Sequence, residues 1–415
     1  MPSGRNSAFD VVVAGASLAG CAAARFFGLA GARVALVDRR PDPAAYKVVC
    51  THQIQRSATP TLYRLGLAPL LDERGAIKTY PEAWSPYGGL IRFPTDVPHG
   101  YGITRRTLDP MLRELAASTR GVELLLGQTV VGLRGDGDRV TGLEVENPGR
   151  IRQSLDASLV VGADGRGSAV ARLAQMQGRV RENRRFCYFA YWRGVQPQTV
   201  HPRVWFLDPE AAALFPNEDD LTLIGVVPHE RDLAAFRSDA ERAYRRFVDG
   251  LPGGPDLSGA ERVSKLIGSL SAPNVLRPVT RPGLALVGDA ALAADPLFGV
   301  GCGWAFQSAE WLAEETSGAL LGGQPLERAL RRYRRRFLLR LVPHLAQIAD
   351  YSSGRKLRAN ERIAFRAAAA DPQVARAIEQ VAGRHSSPLR LLGPTVNARI
   401  ARAALSARAA APGAQ

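Results

Sequence analysis

The strongest constraint on the fold lies in the first forty residues. Apart from Asp10, residues 9–14 are apolar and predict a short buried strand, and the next six read Gly-Ala-Ser-Leu-Ala-Gly. An alanine-rich stretch to residue 30 is typical of a helix, and residues 33–37 predict a second strand that ends at Asp38. We call residues 15–20 the glycine turn. A strand, a tight turn, a helix and a second strand in this order predict a parallel βαβ unit.

The chemistry of the glycine turn is that of a dinucleotide-binding site. Gly15 permits the tight turn, Gly20 lets the helix approach the strand, and the first-turn N–H groups of the helix would face a pyrophosphate. Asp38 stands 23 residues after Gly15 and could accept a hydrogen bond from an adenosine ribose hydroxyl. Ser17 replaces the middle glycine of the usual pattern. A structural βαβ turn that binds no ligand is therefore the alternative.

Three later segments extend this pattern. The Asp-Gly turn (residues 164–165) and the Gly-Asp turn (residues 288–289) each follow an apolar run that predicts a buried strand. The Pro296 loop (residues 295–303) reads Asp-Pro-Leu-Phe-Gly-Val-Gly-Cys-Gly and precedes a helix predicted for residues 304–321. Carboxylates at the carboxyl ends of parallel strands lie where open α/β sheets bind ligands.

In combination these motifs resemble those of the FAD-dependent monooxygenases of the p-hydroxybenzoate hydroxylase type (group A flavoprotein monooxygenases). The wider superfamily includes flavin-dependent halogenases and geranylgeranyl reductases. The resemblance covers roughly residues 8–325. It implies an α/β fold, in which a Rossmann-like, glutathione-reductase-like FAD-binding domain is interleaved with an antiparallel β-sheet substrate domain, plus C-terminal helices. The implied limits are 1–75, 101–185 and 271–330 for the FAD-binding domain, 76–100 and 186–270 for the substrate domain, and 331–415 for the C-terminal helical region.

The resemblance also implies which residues hold the FAD. The glycine turn holds the pyrophosphate, the acid after the second strand holds the ribose, and the Asp-Gly turn is associated with FAD and NAD(P)H. The Gly-Asp turn contacts the ribityl region, and the Pro296 loop lies against the isoalloxazine, where main-chain N–H groups could meet a flavin carbonyl. An Arg-x-x-Leu segment brings an arginine to the phosphates. Register favours Arg105 over Arg106, and a solvated helix start capped at Asp109-Pro110 is the alternative. The predicted cofactor-binding residues are Gly15, Ser17, Leu18, Gly20, Asp38, Arg39, Arg105, Asp164, Gly165, Gly288, Asp289, Pro296, Gly299, Gly301, Cys302 and Gly303.

The middle of the chain predicts the sheet of the substrate domain. Residues 186–192, 203–207 and 221–227 are β-prone and are separated by polar, proline-containing turns. Their aromatic side chains could line an apolar substrate pocket or form the core of the sheet, and alternation allows one face for each. His52 follows the Asp38 strand and by resemblance lies near the flavin; it is the leading catalytic candidate, with a purely hydrogen-bonding role as the alternative. Weaker catalytic candidates are Tyr191, Arg193 and Tyr188.

The implied activity is that of an NAD(P)H-consuming monooxygenase that oxygenates a small, aromatic or polyketide-like specialised metabolite. FAD would be bound tightly and non-covalently, NAD(P)H would be a transient reductant, and O2 would react through a C4a-hydroperoxyflavin. One alternative is a reductase or dehydrogenase of the geranylgeranyl reductase type. Another is a halogenase, although its Trp-x-Trp-x-Ile-Pro pattern does not occur here and its active-site lysine would have to be Lys47 or Lys78. A nucleic-acid- or membrane-binding module that only retains the fold is the non-enzymatic alternative.

Composition bears on the remaining classes. The net charge is +15, but the arginines are scattered, which argues against a nucleic-acid surface. The four cysteines and six histidines show neither disulfide nor metal-ligand spacing, so we expect no metal. With no signal peptide and no apolar run long enough to cross a bilayer, the sequence predicts a cytoplasmic protein with a small-molecule substrate. A basic amphipathic tail over residues 388–407 could touch a membrane, but packing on the flavin domain is favoured. The oligomeric state stays open.

Overall fold

The first large sheet carries the βαβ unit predicted from the N-terminal motif. The computed structural model describes residues 9–322 and 324–409. Five strands of this sheet run parallel, and neighbouring strands are in register, for example Val12 with Ala35 on one side and with Val160 on the other. In spatial order the parallel strands are Val122–Leu126, Val34–Asp38, Phe9–Ala14, Arg152–Gly162 and Leu284–Leu286.

The central parallel strands are apolar because they lie in the buried core of the protein. Phe9–Ala14 and Val34–Asp38 are almost wholly buried, and the helices Leu18–Leu29 and Gly301–Leu320 pack against each other over this core. Arg139–Glu146 pairs antiparallel with Arg152–Gly162 and with Thr129–Asp136, and Thr280–Arg281 pairs antiparallel with Leu284–Leu286 at the edge of the sheet.

The second large sheet is mostly antiparallel, with a single parallel pair among its described strands, Arg203–Phe206 with Glu82–Ser85. The strand Ala211–Pro216 was not predicted, although it lies between two correctly predicted strands. Its three alanines have low β propensity, and pairing on both sides overrides that preference. In spatial order the strands are Glu261–Arg262, Cys187–Arg193, Thr222–Val227, Ala211–Pro216, Arg203–Phe206, Glu82–Ser85 and Gly89–Arg92, with Ile267–Ser269 also paired to Cys187–Arg193.

Two small three-stranded sheets join the large ones. Their strands are Gln53–Ile54, Gly100–Gly102 and Ile77–Thr79 in one, and Arg179–Arg181, Asn274–Leu276 and Leu292–Ala293 in the other. The remaining helices before the C-terminal region are Thr59–Arg64, Ala68–Glu73, Arg105–Ala117, Ala169–Leu173, Leu233–Ser238 and Ala240–Asp249.

The C-terminal region is helical, as predicted, with helices Leu326–Tyr351, Ala359–Ala370, Pro372–Ala382 and Pro394–Ala409. The expectation that the last helix packs on the flavin domain is wrong. Ile400, Ala403 and Ala404 instead pack with Ala367 and with Ile91 at the edge of the second large sheet. An apolar face that repeats every three or four residues predicts burial but does not name the surface that covers it.

These layers make the protein an α/β fold with a Rossmann-like domain, a second sheet and C-terminal helices, which confirms the predicted fold class. Among the described helices, none is both long and apolar enough to span a bilayer. The residue limits of the two domains stay a prediction.

Candidate cofactor site and active site

The glycine turn packs directly on the Asp-Gly turn. Gly15 has φ of +105°, and a Cβ there would lie 2.6 Å from the carbonyl oxygen of Ala163 and 3.0 Å from Cα of Asp164. A Cβ at Gly20 would lie only 1.7 Å from the carbonyl oxygen of Gly15. Both positions therefore require glycine, one for its conformation and both for space. Leu18, the first residue of the helix that follows, is buried.

The Gly-Asp turn meets the same place from the other side. Gly288 has φ of +55°, and a Cβ there would lie 2.8 Å from Cβ of Ala19. The carboxylate of Asp289 pairs with the ammonium group of Lys47 at 3.1 Å. Three chain segments separated by more than a hundred residues thus converge on one side of the parallel sheet, at the carboxyl ends of its strands.

Asp38 closes the glycine turn. Its carboxylate accepts hydrogen bonds from the backbone N–H groups of Ala16, at 2.8 Å, and Arg40, at 2.9 Å. Burial works to raise the pKa of Asp38, but hydrogen bonds from Arg40 and Ala16 outweigh it, so the pKa lies below its ordinary value. Arg40 pairs with this carboxylate, whereas Arg39 is exposed, and its predicted role in cofactor binding stays a prediction.

Asp164 holds the start of a helix. Its carboxylate accepts from the hydroxyl of Ser168 at 2.5 Å and from the backbone N–H of Val170 at 3.0 Å, at the N-terminus of Ala169–Leu173. Its neighbour Gly165 has φ of +84°, and a Cβ there would have no atom within 4 Å. The Asp-Gly turn therefore combines a fixed carboxylate with open space beside it.

A row of charged residues on helix Arg105–Ala117 faces the glycine turn. Arg105 is buried and donates to the hydroxyl of Ser17 at 2.6 Å, and it pairs with the buried Asp109 through two hydrogen bonds of 2.7 and 3.0 Å. The solvated helix start considered from the sequence is wrong, because the helix begins at Arg105, with Thr104 as its N-cap, and Pro110 lies inside it. Arg105 can be buried on this face of the helix because the carboxylate of Asp109, one turn away, compensates its charge.

The next residue of the same row, Arg113, was missed by the sequence analysis. It is buried and donates to the backbone carbonyls of Ala16, at 3.3 Å, and Ala45, at 2.9 Å. The i, i+4, i+8 spacing of Arg105, Asp109 and Arg113 is the signal that could have found it, since such residues share one helix face.

The Pro296 loop ends in the 20-residue helix Gly301–Leu320. Gly299 has φ of +58°, and the helix Gly301–Leu320 begins three residues earlier than predicted. Cys302 and Gly303 therefore lie in the first turn, whose N–H groups have no partner within the helix and can serve a ligand. Pro296 begins a short 3-10 turn that is capped by the carboxylate of Asp295.

His52 and Tyr191 form a hydrogen-bonded pair. His52 is buried, and its Nδ1 accepts from the backbone N–H of Arg105 at 2.8 Å, so the proton of the neutral ring must sit on Nε2. Nε2 bonds to the hydroxyl oxygen of Tyr191. Burial lowers the pKa of His52 and raises the pKa of Tyr191, so both groups stay neutral. The hydroxyl proton of Tyr191 is then left to donate to a ligand.

Alternation along strand Cys187–Arg193 decides which aromatic side chains share this site. Phe189 and Tyr191 lie on one face, packed with the apolar cluster Phe189, Ala213, Phe215 and Leu223. Tyr188 lies on the other face and stacks on Phe236 at 5.2 Å, against the helix Leu233–Ser238. Tyr188 is therefore not part of the site, since successive strand residues point to opposite faces.

Arg193 is not placed with His52 and Tyr191. It is exposed and lines a separate cavity of about 390 Å³, together with Arg106 and Glu218. Arg106 thus lies on a different face of its helix from Arg105.

Glu218, which was not predicted as a site residue, links a loop of the second large sheet to the start of helix Arg105–Ala117. This buried carboxylate accepts from the backbone N–H of Thr104 at 2.9 Å and from the hydroxyls of Thr104, at 2.6 Å, and Thr107, at 2.7 Å. A carboxylate at a helix N-terminus is favoured by the helix dipole. It anchors the Arg105 helix to the loop after Ala211–Pro216.

A model of a known family matches residues 8–340, and its description is "FAD binding domain". The chain belongs to this FAD binding domain family. It is an FAD-dependent oxidoreductase.

Curated relatives and solved structures are similar over most of their length. The chain is 24% identical to the digeranylgeranylglycerophospholipid reductase of Thermoplasma acidophilum over 325 residues, which are 75% of this chain and 78% of that protein. It is 28% identical to the menaquinone reductase of Mycolicibacterium smegmatis over 342 residues, 76% of this chain and 78% of that one. The p-nitrophenol 4-monooxygenase PnpA of Pseudomonas putida has a similar fold, with 20% identity, a TM-score of 0.71, and coverage of 91% of this chain and 98% of that chain.

The residues at the convergence point fit FAD. The close backbone approach at Gly15 and Gly20 leaves the first turn of helix Leu18–Leu29 open to a pyrophosphate. The carboxylate of Asp38 stays ionised and can accept from ribose hydroxyls, since each oxygen has two lone pairs. Arg105 supplies a fixed positive charge beside Ser17.

Proposed function

We propose that this protein is an NAD(P)H-dependent FAD monooxygenase of a small aromatic or polyketide-like metabolite. The observation that carries the proposal is the joining of one polar pair, His52 and Tyr191, to an apolar wall. The wall consists of Phe189, Ala213, Phe215 and Leu223. Apolar walls with few fixed polar groups are typical of sites that bind small organic molecules.

The wall also lies close to the proposed flavin position. Its strand Ala211–Pro216 contacts the 3-10 turn Pro296–Phe298 of the Pro296 loop. A flat apolar substrate held on the wall would therefore lie beside the isoalloxazine, with its reacting atom sheltered from water.

The FAD, once reduced by NAD(P)H, would supply the oxygen-activating chemistry. The protein residues would bind and orient. His52 would donate Nε2–H to Tyr191, and Tyr191 would donate its hydroxyl proton to an oxygen or nitrogen of the substrate. Because burial keeps both groups neutral, we assign them an orienting role and not that of an ionised base.

The test is turnover of candidate aromatic metabolites with NAD(P)H under isotopically labelled O2, followed by mass spectrometry. The proposal expects a yellow protein and a product that gains one labelled oxygen atom, with no product under anaerobic conditions. A colourless protein that binds no flavin, or product formation without O2, would overturn it.

A reductase is the second candidate, because the two curated relatives described above are reductases. In that case the substrate would gain two hydrogen atoms without O2, and the Tyr191 hydroxyl would be placed to supply a proton. The same assay distinguishes the candidates by the mass added and by the anaerobic arm.

A halogenase has less support. Lys78 is half-exposed and pairs with Asp72 at 3.2 Å, and Lys47 pairs with Asp289 at 3.1 Å. Each lysine that could have served as the active-site lysine therefore has a carboxylate partner. Halide-dependent product formation in the assay would reinstate this candidate.

A further inference from the structure

Two cysteines that are far apart in the sequence are neighbours in the fold. Cys50 and Cys302 are 252 residues apart, and their sulfur atoms lie 3.6 Å from each other. Both are free thiols. Sequence spacing had given no sign of a pair, because Cys50 lies in the loop after Val34–Asp38 and Cys302 in the first turn of Gly301–Leu320.

The surroundings of the two sulfurs are unequal. The sulfur of Cys50 accepts from the backbone N–H of His52 at 3.3 Å and from the guanidinium of Arg105 at 3.7 Å. The ammonium of Lys47 adds a further positive charge nearby. A sulfur surrounded by donors and cations is stabilised as a thiolate.

The two thiols therefore differ in pKa, so Cys50 loses its proton before Cys302 does. A hydrogen bond from the Cys302 thiol and the charge of Arg105 lower the pKa of Cys50 well below its ordinary value, against the opposing effect of burial. The same hydrogen bond together with burial raises the pKa of Cys302. A thiolate next to a protonated thiol is the arrangement that an attacking and a resolving cysteine need.

The other two cysteines provide an internal contrast. Cys21 and Cys187 are buried, and burial raises the pKa of each thiol to about 12. Such thiols are inert because the reactive thiolate form is disfavoured.

We propose that Cys50 and Cys302 form a dithiol pair that hydrogen peroxide oxidises to a reversible disulfide. The Cys50 thiolate attacks one oxygen of peroxide, the O–O bond breaks, and the departing hydroxide takes a proton from solvent to become water. Cys50 is then a sulfenic acid. The Cys302 sulfur attacks the Cys50 sulfur, the S–O bond breaks, and the leaving hydroxide takes the Cys302 proton as a second water. The pair loses two electrons and the peroxide gains them.

The pair lies beside the proposed flavin position, where peroxide can be produced. Reduced flavins that react with O2 without substrate release hydrogen peroxide, and Cys302 belongs to the Pro296 loop that the proposed function sets against the flavin. That source of peroxide is the only element that rests on the proposed function. A disulfide would tie the loop that holds His52 to the helix that begins in the Pro296 loop, and low-molecular-weight thiols would reverse it by exchange.

The test uses the purified protein with whatever flavin it carries, reduced with a dithiol and desalted. It is titrated with hydrogen peroxide, alkylated, and analysed by intact mass and peptide mapping. We expect the loss of two hydrogen atoms at about one equivalent of peroxide and a peptide linked through Cys50 and Cys302. Renewed treatment with the dithiol should restore both thiols.

Single substitutions separate the two roles. Cys302→Ser should stop at a sulfenic acid on Cys50 that a dimedone probe captures, whereas Cys50→Ser should leave Cys302 unreacted at the same peroxide dose. Cys21→Ser and Cys187→Ser are matched controls that should react like the parent.

Three results would overturn the proposal: a parent protein whose thiols survive peroxide, a disulfide that involves Cys21 or Cys187, or a Cys50→Ser variant that oxidises at Cys302 as fast as the parent. If a variant does not fold, the peptide map of the parent decides alone. Because added peroxide replaces any flavin product, failure of the monooxygenase assay leaves this test intact.

Discussion

The ion pair between Arg105 and Asp109 offers the sharpest test of the site architecture. Both side chains are buried, at 3% and 0% exposure, and two hydrogen bonds of 2.7 and 3.0 Å join them. Arg105→Met would leave the carboxylate with the backbone N–H of Lys47, at 2.9 Å, among its remaining partners. Removing one partner of a buried pair costs about 3–5 kcal/mol. The lost bond to Ser17 adds about 1 kcal/mol.

The measurement is chemical denaturation at saturating FAD, with Arg106→Met as the control. Arg106 is the next residue and lines the cavity on another helix face, so its substitution should change the free energy of unfolding by less than about 0.5 kcal/mol. The double substitution Arg105→Met with Asp109→Leu should recover part of the loss, because it no longer leaves the Asp109 carboxylate buried without its arginine. If Arg105→Met and Arg106→Met were equally stable, the inferred burial and pairing would be wrong.

Three further predictions use other parts of the molecule. Gly15→Ala should lower the free energy of unfolding by at least about 2 kcal/mol and release flavin, because the new Cβ would lie 2.6 Å from the Ala163 carbonyl oxygen at a φ of +105°. Gly167→Ala is the control, because a Cβ there has no atom within 4 Å, and it should have neither effect. Thermal unfolding and flavin absorbance measure the two effects. Burial lowers the pKa of His344 from 6.5 to about 3, so between these pH values only the unfolded chain takes up the proton, and the free energy of unfolding falls as the pH falls. His344→Leu should reduce the slope of the free energy of unfolding against pH in this range by about 1.4 kcal/mol per pH unit. An unchanged slope would refute the assignment. Tyr191→Phe should lower kcat/KM about tenfold while flavin content stays near that of the parent, and unaltered kinetics would remove the hydroxyl from the site.

Much of the cofactor site could be proposed from local pattern. The turn at Gly15 and the acid at Asp38 follow from one βαβ unit, in which the Ala16 N–H reaches the Asp38 carboxylate 22 residues away. The pairing of Arg40 with Asp38 was not predicted, because it depends on which way each side chain leaves the strand end. The predicted start of the Pro296-loop helix was three residues late because glycines weaken the helical pattern at residues 301 and 303.

The catalytic candidates show where such pattern fails. His52 and Tyr191 are 139 residues apart. Their hydrogen bond forms because the loop that holds His52, which also bonds to the start of the Arg105 helix, lies against strand Cys187–Arg193 of the second large sheet. Arg193, two residues after Tyr191, lines the cavity that Arg106 and Glu218 also line. Glu218 carried no recognisable motif at all, yet it anchors that helix through three hydrogen bonds.

The sequence by itself determined the α/β class, the nucleotide turn and the glycines that permit close backbone approach, because apolar periodicity and glycine conformation act over short distances. Only the tertiary structure decided that Cys50 meets Cys302, that His52 meets Tyr191 and that Arg113 is buried against the glycine turn. Those outcomes depend on how separate elements pack, and the free energy of packing is set by contacts between residues far apart in the chain.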